Sequence, residues 1–334
     1  MTGQPVTASS GAVRISVIMI NRNGASTLST ALSTLVQSME NCLNCQATEL
    51  LVVDNGSTDD SCRVIEQTLR NHAVAWKLIV EQRPGVNHAR NRGIAESSGD
   101  ILIFVDSDVT FSPHWLESYC KAFKTYLDVD VFGGRVVPDI PDSPPEWFAL
   151  HGPYARPSIT ITVDLGDSNL VRPLSSSEGP VGPNMAFRRA VFERFGDFDT
   201  DFGLRPGSLV AGAEYEIFDR LAGSNLAFAY VAGASVLHPI RTDQLSKVYF
   251  LRRLHGTGRV MSRVRHKRGL EARRFMGLTL FVVRNLLESA WSYIRSVAHR
   301  EPKERFYYLC ELSIQSGHLT EDFHAWRTRR TSAR

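Results

Sequence analysis

The stretch GDILIFVDSDVTF, residues 99–111, runs from five apolar residues, Ile101–Val105, directly into Asp106, Ser107 and Asp108. An apolar run that is continuous rather than alternating predicts a strand buried on both faces. Residues two apart in an extended chain point to the same side, so Asp106 and Asp108 would share one face, where like charges repel. We therefore expect a positive group between the two carboxylates or full solvation of both. The alternative is an ordinary polar turn at a strand end.

Strand and helix patterns alternate through the first 130 residues. Continuous apolar runs predict strands at 13–20, 49–54, 76–81 and 100–106. Helical spacing of apolar residues, with Ser or Thr caps, predicts helices at 26–39, 57–69, 88–97 and 112–127. Strands separated by helices imply crossover connections, so the expected fold class is α/β with a mostly parallel central sheet.

The middle of the chain changes character. Residues 135–183 contain nine of the 15 prolines and little periodicity, which predicts loops and short strands over a cleft. Helical patterns return at 188–195 and 213–223, and strand-like pieces occupy 226–239. Beyond about residue 243 the pattern is helical and basic.

Composition places the chain in the ordinary globular class, with 43% hydrophobic and 22% charged residues. No apolar run is long enough to span a bilayer, and residues 1–12 are polar and small, so neither a spanning helix nor a secretory signal is expected. The five cysteines are odd in number and scattered, which argues against a disulfide framework and fits a reducing cytoplasm. Cys42 and Cys45 form a lone C-x-x-C, which is weak support for zinc or redox chemistry.

Two of the predicted strands end in carboxylates, Asp54 on the second and Asp106 with Asp108 on the fourth. Ligands of an open parallel sheet bind beyond the carboxyl ends of its strands, so these acids are expected to face one crevice. Carboxylate oxygens suit hydroxyl-bearing ligands, and they are preferred ligands of Mg²⁺ or Mn²⁺, which commonly bridges protein acids to substrate phosphates. For Asp54 the alternative is a helix-capping turn within DNGSTDD.

Six segments of the chain resemble family 2 glycosyltransferases, in the order and spacing of that family, over roughly residues 13–240. The segments are ISVIMINRNG, LLVVDNGSTDDS, GVNHARNRGIAESSGDILIFVDSDV with its D-x-D triplet, GPNMAFRRAVFERFGDFD, GAEYEIFDRL and VLHP. Each segment is weak alone, and the ordered set is specific. The resemblance implies a GT-A fold, an α/β/α sandwich that binds nucleotide sugars, and sugar transfer with inversion.

The resemblance also implies a donor site. Asp54 would bind the nucleobase, usually uracil in this family, in a pocket that the residues near Ile20, Asn21 and Asn23 would line. Arg90 would support the base or the pyrophosphate of the nucleotide sugar.

The D-x-D triplet would continue that site. By the resemblance, Asp106 would reach the ribose or a metal ion, with Ser107 beside it at the nucleotide sugar. Asp108 would ligate the metal, Mn²⁺ or Mg²⁺, and His238 would approach the metal or the pyrophosphate.

The resemblance makes Glu214 the catalytic base and places the segment that contains Asn184 on the acceptor side. An inverting transfer needs one acid that is free of the metal, to take the acceptor proton, and other acids that hold the metal. Glu214 fits the first need. The alternative for Glu214 is a first-turn helix acid that interacts with the helix dipole.

The chain departs from the family pattern in two places. Ala213 and Glu214 stand where many members have Glu-Asp, so the base would be a glutamate and Glu216 becomes a rival on the acceptor side. Residues 21–23 read Asn-Arg-Asn where many members have Pro-Thr-Tyr-Asn, which changes the detail of the base pocket.

Charge divides the chain in two. The net charge is +3, but residues 1–240 hold 18 Lys and Arg against 27 Asp and Glu, whereas residues 241–334 hold 20 against 8. We therefore predict a transferase domain at 13–240 and a basic helical region at 241–334, associated with a membrane or with the acceptor.

The basic region contains an apolar segment at 276–294 whose only charges are Arg284 and Glu288. The basic residues before it are Arg252, Arg253, Arg259, Arg263, Arg265, Lys267, Arg268, Arg273 and Arg274. An apolar helix beside a basic cluster predicts contact with an anionic membrane surface, peripheral on the cytoplasmic face. The alternative is a helix packed on the catalytic domain. Nucleic acid is not an expected partner, because no binding motif accompanies the charge.

The sequence thus predicts a metal-dependent inverting glycosyltransferase that uses a nucleotide-diphosphate sugar, with UDP-sugar as the expected donor and a glycan or lipid-linked acceptor. One rival is a sugar-phosphate nucleotidyltransferase, which usually carries a Gly-rich loop with Arg or Lys after the first strand; NRNGAST matches that loop poorly. The other rival is a non-catalytic protein that binds sugar nucleotides or glycans.

Overall fold

The computed structural model describes residues 13–42, 48–175, 179–205, 212–270, 274–275, 277–299 and 301–332. Its strands are β1 (Ile15–Asn21), β2 (Thr48–Asp54), β3 (Ala75–Val80), β4 (Ile101–Asp106), β5 (Thr110–Phe111), β6 (Val131–Asp139), β7 (Leu170–Pro173), β8 (Asn184–Arg188), β9 (Ala227–Pro239), β10 (Arg274–Phe275) and β11 (Leu278–Thr279). Its helices are α1 (Leu28–Glu40), α2 (Ser61–Leu69), α3 (Val86–Glu96), α4 (Trp115–Thr125), α5 (Pro157–Thr160), α6 (Arg189–Phe195), α7 (Ala213–Leu221), α8 (Lys247–Lys267), α9 (Leu280–His299) and α10 (Pro302–Ser332).

One sheet organises the first 240 residues. Its strands lie in the order β3-β2-β1-β4-β8-β6-β9-β5, and β7 pairs with β9. Neighbours β3, β2, β1 and β4 are parallel, and β6 is parallel to β9. Strand β8 runs antiparallel to both β4 and β6, so the carboxyl ends of β4, β6 and β9 share one edge of the sheet. The predicted α/β class with a mostly parallel sheet is confirmed.

Helices cover both faces of this sheet, and β4 shows why. Ile101, Ile103 and Val105 belong to the core under α1, α2 and α4, whereas Leu102 and Phe104 belong to the core under α3, α6 and α7. All five side chains are fully buried. A strand packed between two layers has no polar face, which explains the unbroken apolar run.

The C-terminal helices pack on one another and on the sheet domain. Helices α8 and α10 cross closely, because a Cβ at Gly258 would lie 2.0 Å from the carbonyl oxygen of Ile314, and one at Gly317 would lie 2.0 Å from that of His255. Phe250 of α8 packs against Trp147, with ring centroids 5.3 Å apart. The predicted helical C-terminal region is therefore present and attached to the sheet domain.

Three features differ from the sequence-based expectations. The proline-rich segment, for which loops and short strands were expected, begins inside β6, a nine-residue strand. The strand-like pieces expected at 226–239 form one thirteen-residue strand, β9. Cys120 takes part in a disulfide, which the scattered cysteines did not predict.

Two other expectations concern the C-x-x-C motif and a membrane-spanning helix. Cys42 of the C-x-x-C is buried, and Cys45 lies outside the described residues. Within the described ranges, no helix is long and apolar enough to cross a membrane.

Candidate active site

A cavity of about 620 Å³ opens at the carboxyl ends of β1 and β4. Three carboxylates, Asp106, Asp108 and Glu214, line it together with Arg90. Ile20 and Ser107 also line it, and one face of α8 contributes Arg253, Thr257, Val260 and Met261. The acids that the sequence assigned to one crevice therefore share one cavity, and helix α8 of the C-terminal region is part of its lining.

Asp106 and Asp108 lie at and just after the end of β4, and their negative charges are not neutralised by an ion pair with a basic side chain among the described residues. Burial, with repulsion from Asp108, raises the pKa of Asp106 to about 7. Asp108 Oδ1 is buried without a hydrogen-bond partner among the described residues, and so is Nδ1 of His238 near the end of β9. Burial lowers the pKa of His238, and the nearby negative charge of Asp108 opposes that change. A cation at this place would offset the repulsion between the two carboxylates. His238 lies close enough to Asp108 to feel its charge, but it is not among the residues that line the cavity.

These donors suit a hard cation that also binds a ligand. In the described part of the chain, no three His, Cys, Asp or Glu side chains are arranged to hold a metal ion by themselves. Mg²⁺ and similar ions commonly bind through one or two carboxylates and complete their shell with substrate phosphates and water. The unpartnered oxygen of Asp108 and nitrogen of His238 are the atoms available for such an ion.

Glu214 lies in the first turn of α7, held by Arg90 from α3. The guanidinium Nη2 of Arg90 donates to Oε1 of Glu214 at 2.7 Å, and Arg90 is itself almost fully buried above the ring of Phe198. Burial alone would raise the pKa of Glu214, but the charges of Arg90 and Arg253 outweigh it, and the pKa is lowered. Glu214 is therefore an ionised carboxylate, and its other oxygen, Oε2, has no side-chain partner among the described residues.

Gly182 makes the close pairing of Arg90 and Glu214 possible. A Cβ at this position would lie 2.6 Å from Nη2 of Arg90 and 2.7 Å from Oε1 of Glu214. Any larger residue would push the ion pair apart. Sequence analysis did not single out Gly182, although the segment that continues from it, GPNMAFRRAVFERFGDFD, was one of the matching ones.

Asp54 lies behind the cavity wall. It is 1% exposed, and its carboxylate accepts hydrogen bonds from the side-chain amide of Asn21 at 2.8 Å and from the backbone N–H of Ser57 at 2.9 Å. Asn23 adopts a left-handed conformation, with φ +52°, and its side chain accepts from the backbone N–H of Thr58 at 2.8 Å. These three residues brace the turn after β1 against the turn after β2. Only Ile20 of the predicted base-pocket group lines the cavity.

Asn184 is not exposed to the cavity. It is fully buried, its carbonyl oxygen accepts from Trp115 Nε1 and from the Tyr119 hydroxyl, both at 2.9 Å, and its amide donates to the backbone oxygen of Ala234 at 2.7 Å. This amide joins α4 to β9 inside the core, so the structure does not bring its side chain to an acceptor.

Glu216 also points away from the cavity. Its carboxylate forms a two-point ion pair with Arg220 one helical turn later, at 3.0 and 3.2 Å. Arg220 in turn donates to the backbone oxygen of Asp197 at 2.8 Å. Of the two acids at the start of α7, only Glu214 lines the cavity.

Sequence analysis did not assign several polar residues that line the cavity, among them Arg22, Asn55 and Arg253. Asn55 fixes the strand-end loop, because its side chain donates to the backbone oxygen of Arg83 at 2.7 Å and accepts from the N–H of Gly85 at 2.8 Å. Its place directly after Asp54 at a strand end was a signal that could have found it. Arg253 stood in a long basic run, with no local signal to separate it from its neighbours.

The sequence model described as Glycosyl transferase family 2 matches residues 16–196, more than half of the chain. Among curated proteins, the glucosyl-dolichyl phosphate glucuronosyltransferase of Haloferax volcanii is 26% identical over 173 residues, which cover 52% of this chain and 53% of that protein. Glycosyltransferase AglE of the same organism is 29% identical over 216 residues, 61% of this chain and 64% of that protein. The chain thus spans somewhat more than half the length of these relatives.

Among solved structures, the mannosyltransferase PcManGT from Pyrobaculum calidifontis, in complex with GDP-Man and Mn²⁺, superposes over 97% of this chain and 77% of its own, with a TM-score of 0.54 and 16% sequence identity. At that identity the likeness concerns the fold, and it supports the GT-A type sandwich.

Proposed function

The chain belongs to glycosyl transferase family 2, and from that premise we propose that it transfers a sugar from a nucleoside diphosphate sugar to a hydroxyl group, with inversion at the anomeric carbon. The supporting observation is that Glu214 shares one cavity with Asp106 and Asp108. The cavity thus supplies both a carboxylate for the base and a separate carboxylate pair for the donor.

Glu214 is the proposed base. Its pKa is lowered, so it is ionised at neutral pH, and Arg90 holds Oε1 while Oε2 is free to accept a proton. As Oε2 takes the proton of the acceptor hydroxyl, the acceptor oxygen forms a bond to the anomeric carbon. The bond from that carbon to the phosphate oxygen breaks on the opposite face, and the nucleoside diphosphate leaves with the bonding electrons. General base catalysis of this kind contributes about 10²–10⁴-fold.

Asp106, Asp108 and His238 are the proposed ligands of a divalent cation, Mn²⁺ or Mg²⁺. Because these side chains are not arranged to hold a metal by themselves, the diphosphate of the donor and water would complete the coordination. The unpartnered atoms of Asp108 and His238 support this assignment, as does the Mn²⁺ that accompanies GDP-Man in the complex of the structurally similar mannosyltransferase. The cation would neutralise the negative charge that develops on the leaving diphosphate.

The proposed donor is a UDP-sugar, as the family resemblance implies. Asp54 is the assigned base contact, but both of its oxygens already accept hydrogen bonds within the fold. For Asp54 to reach a nucleobase, the loop from Asn55 to Ser57 has to move. Alternatively, Asp54 only braces the pocket that Ile20 and Arg22 line.

The proposed acceptor is a glycan or a lipid-linked glycan at an anionic membrane surface, on its cytoplasmic face. Helix α9 exposes an apolar row with Leu287, Trp291 and Ile294 at 65%, 63% and 62%. These residues are spaced four and three apart, so they form one stripe along the helix. A helix with such a face lies in the interfacial plane of a bilayer. The name of the Haloferax relative, which includes a dolichyl phosphate, is consistent with a lipid-linked acceptor.

We divide the chain, in this proposal, into a transferase domain at 13–240 and a helical region at 241–334. The helical region does more than anchor the protein, since α8 lines the cavity with Arg253 and Thr257.

A panel of UDP-, GDP- and dTDP-sugars, screened with Mn²⁺ for thermal stabilisation and for slow hydrolysis of the sugar–phosphate bond, tests the proposal. We expect one nucleotide class to stabilise the protein and to be hydrolysed, and a chelator to abolish both effects. Stabilisation without turnover, even with glycan or lipid-phosphate acceptors present, favours a non-catalytic binding protein. Formation of a nucleotide sugar from a sugar phosphate and a nucleoside triphosphate identifies a nucleotidyltransferase.

A further inference from the structure

Arg253 differs from the basic residues at 259–268, in and just after the C-terminal half of α8. Arg259 and Arg263 form ion pairs with Glu321 at 3.0 and 2.7 Å, and Arg268 pairs with Asp219 at 2.9 Å. Arg265 and Lys267 pair with Asp322 and Asp199. These charges hold helices together. The side chain of Arg253 has no hydrogen bond or ion pair in the described part of the chain, and it lines the catalytic cavity.

The other arginines of the cavity are already engaged. Arg90 is paired with Glu214. Arg22 donates to the backbone oxygen of Asn55, and Arg205 donates to that of Thr200 at 2.5 Å. Arg253 is therefore the cavity arginine whose guanidinium, within the described residues, has all of its donors available. An arginine guanidinium carries five N–H donors in a fork that fits phosphate oxygens.

The position of Arg253 is set by helix packing. Arg253, Thr257 and Val260 lie four and three residues apart, so one face of α8 lines the cavity. The opposite side of the helix is clamped to α10, where Gly258 and Gly317 let the two backbones meet. Arg253 lines the same cavity as Asp106 and Glu214, and its charge contributes, after that of Arg90, to the lowered pKa of Glu214.

We propose that Arg253 binds the diphosphate of the donor and neutralises charge on the departing nucleoside diphosphate. This inference rests on the proposed transferase function. It makes α8 part of the donor site, so the basic C-terminal region supplies one specific cation to the reaction in addition to its structural ion pairs. A hydrogen-bonded charge of this kind contributes about 10- to 100-fold to affinity for a phosphate ligand.

The test uses two variants of the proposed residue, Arg253→Ala and Arg253→Lys. The control is Arg252→Ala, because Arg252 is exposed and lies next to Arg253 on the same helix. Binding of UDP and GDP, and of uridine and guanosine, is measured by calorimetry with Mn²⁺. We expect Arg253→Ala to weaken binding of the nucleoside diphosphate about 10- to 100-fold, to leave nucleoside binding unchanged, and to lower kcat. Lysine should restore part of the loss, and Arg252→Ala should match the wild type.

The unfolding midpoints of the two alanine variants should agree, because neither parent side chain has an ion pair to lose among the described residues. The inference is overturned if Arg253→Ala binds the nucleoside diphosphate with an affinity within about twofold of wild type, since a phosphate contact is worth at least tenfold. If only the KM for a phosphorylated acceptor rises, Arg253 binds the acceptor instead. If the wild-type protein binds neither nucleoside diphosphate, the proposed function fails together with this inference. Wild-type binding that is insensitive to Arg253 defeats the inference alone.

Discussion

The catalytic cavity and the C-terminal helices both concentrate charge, but they treat it in opposite ways. Among the helices, acids and bases are matched: Asp322 is fully buried, with Arg265 Nη2 at 2.9 Å and His266 Nε2 at 3.0 Å. At the cavity, Asp108 has a buried carboxylate oxygen without a partner in the described part of the protein, and His238 near it has such a ring nitrogen. Among the helices, Nε of Arg265 also has no partner, but that side chain is paired with Asp322 through Nη2.

The difference separates the paired charges of the helices, which stabilise the fold, from the unpaired charges of the cavity, which are available to a ligand. A buried polar atom without a partner is costly, so it is rarely retained unless something binds it. The net charge of +12 in the tail, 20 basic against 8 acidic residues, therefore says less about a partner than the sequence suggested. At least seven of its Lys and Arg residues already have acidic partners within the protein. The few unpaired charges around the cavity say more.

The largest effect that this comparison predicts is at Glu214. Glu214→Gln removes the proposed base without changing its size, so kcat should fall about 10²–10⁴-fold. Donor affinity should change little, because the base contacts the acceptor. Steady-state kinetics with the donor identified by the nucleotide-sugar panel measures both quantities.

Glu216→Gln is the matched control two residues away. It breaks the ion pair with Arg220 and should lower stability while kcat is largely retained. An inactive Glu216→Gln beside an active Glu214→Gln would show that the base has been assigned to the wrong acid.

The next effect concerns the cation. Asp108→Asn keeps the shape of the side chain but removes its charge, so binding of Mn²⁺ and of nucleotide should weaken together, by about 100-fold or more, since a bridging cation contributes several kcal/mol. Calorimetry of each ligand with and without the other gives the coupling. Asp139→Asn, at the end of β6 but outside the cavity lining, should bind as the wild type does. Full wild-type activity in excess chelator would rule out the metal.

The buried strands were predictable because their physical cause is local. β2 and β4 are continuous apolar runs that end in Asp54 and Asp106, and their observed bounds lie within one residue of those expected. β6 was not predictable in the same way. It contains Gly133 and Gly134, which weaken any strand pattern, and each is required by tertiary contact: a Cβ at Gly134 would lie 2.0 Å from a backbone oxygen of Ala234.

The parts of the site that depend on contacts between residues distant in the sequence could not be predicted. The grouping of Asp106, Asp108 and Glu214 followed from strand ends and from the order of the motifs. Nothing in the local sequence could show that Asn184 faces the core. Nothing local separates Arg253 from Arg252 either, because the crossing of two distant helices decides which of them reaches the cavity.

A third prediction tests the buried ion pairs between the C-terminal helices. Asp322→Asn leaves Arg265 and His266 without their buried anion, and breaking such a pair from one side costs about 3 kcal/mol. Chemical denaturation should show a loss of that size. Asp243→Asn, which breaks the exposed pair with Arg241, should cost about 0–1 kcal/mol.

The same pair has a pH signature. Burial raises the pKa of Asp322, but hydrogen bonds from His266 and Thr279 and the charge of Arg265 outweigh it, so the pKa lies well below the ordinary carboxyl range. A depressed folded-state pKa contributes stability above the unfolded pKa of about 3.9, and that stability is lost as the pH falls below it. The stability gap between wild type and Asp322→Asn should therefore close in acid. A gap that stays constant from neutral pH to about pH 3 would argue against ionisation of Asp322 as its source.

The smallest predicted effect concerns the apolar stripe of α9. If the stripe enters an interface, Leu287→Ser should lower partitioning onto anionic vesicles about tenfold, since burial of a leucine side chain contributes about 1.5–3 kcal/mol. Leu127→Ser, at a similarly exposed position just after α4, is the control and should have no effect. Flotation with anionic and neutral vesicles at two salt concentrations measures the partitioning.

The paired charges of α8 also set the expected salt dependence of that binding. Each basic residue near an anionic surface contributes about 1 kcal/mol, and the sequence alone offered nine of them before the apolar segment. Ion pairs within the protein engage five of these nine: Arg259, Arg263, Arg265, Lys267 and Arg268. Arg284 on α9 is 72% exposed, but it also pairs with Glu288, at 3.5 Å. Binding should therefore weaken only modestly when salt shortens the screening length below about 10 Å. A steep salt dependence would show that the ion pairs open at the membrane. A protein that stays unbound with both vesicle types at low salt would leave α8, the wall of the cavity, as the functional part of the tail.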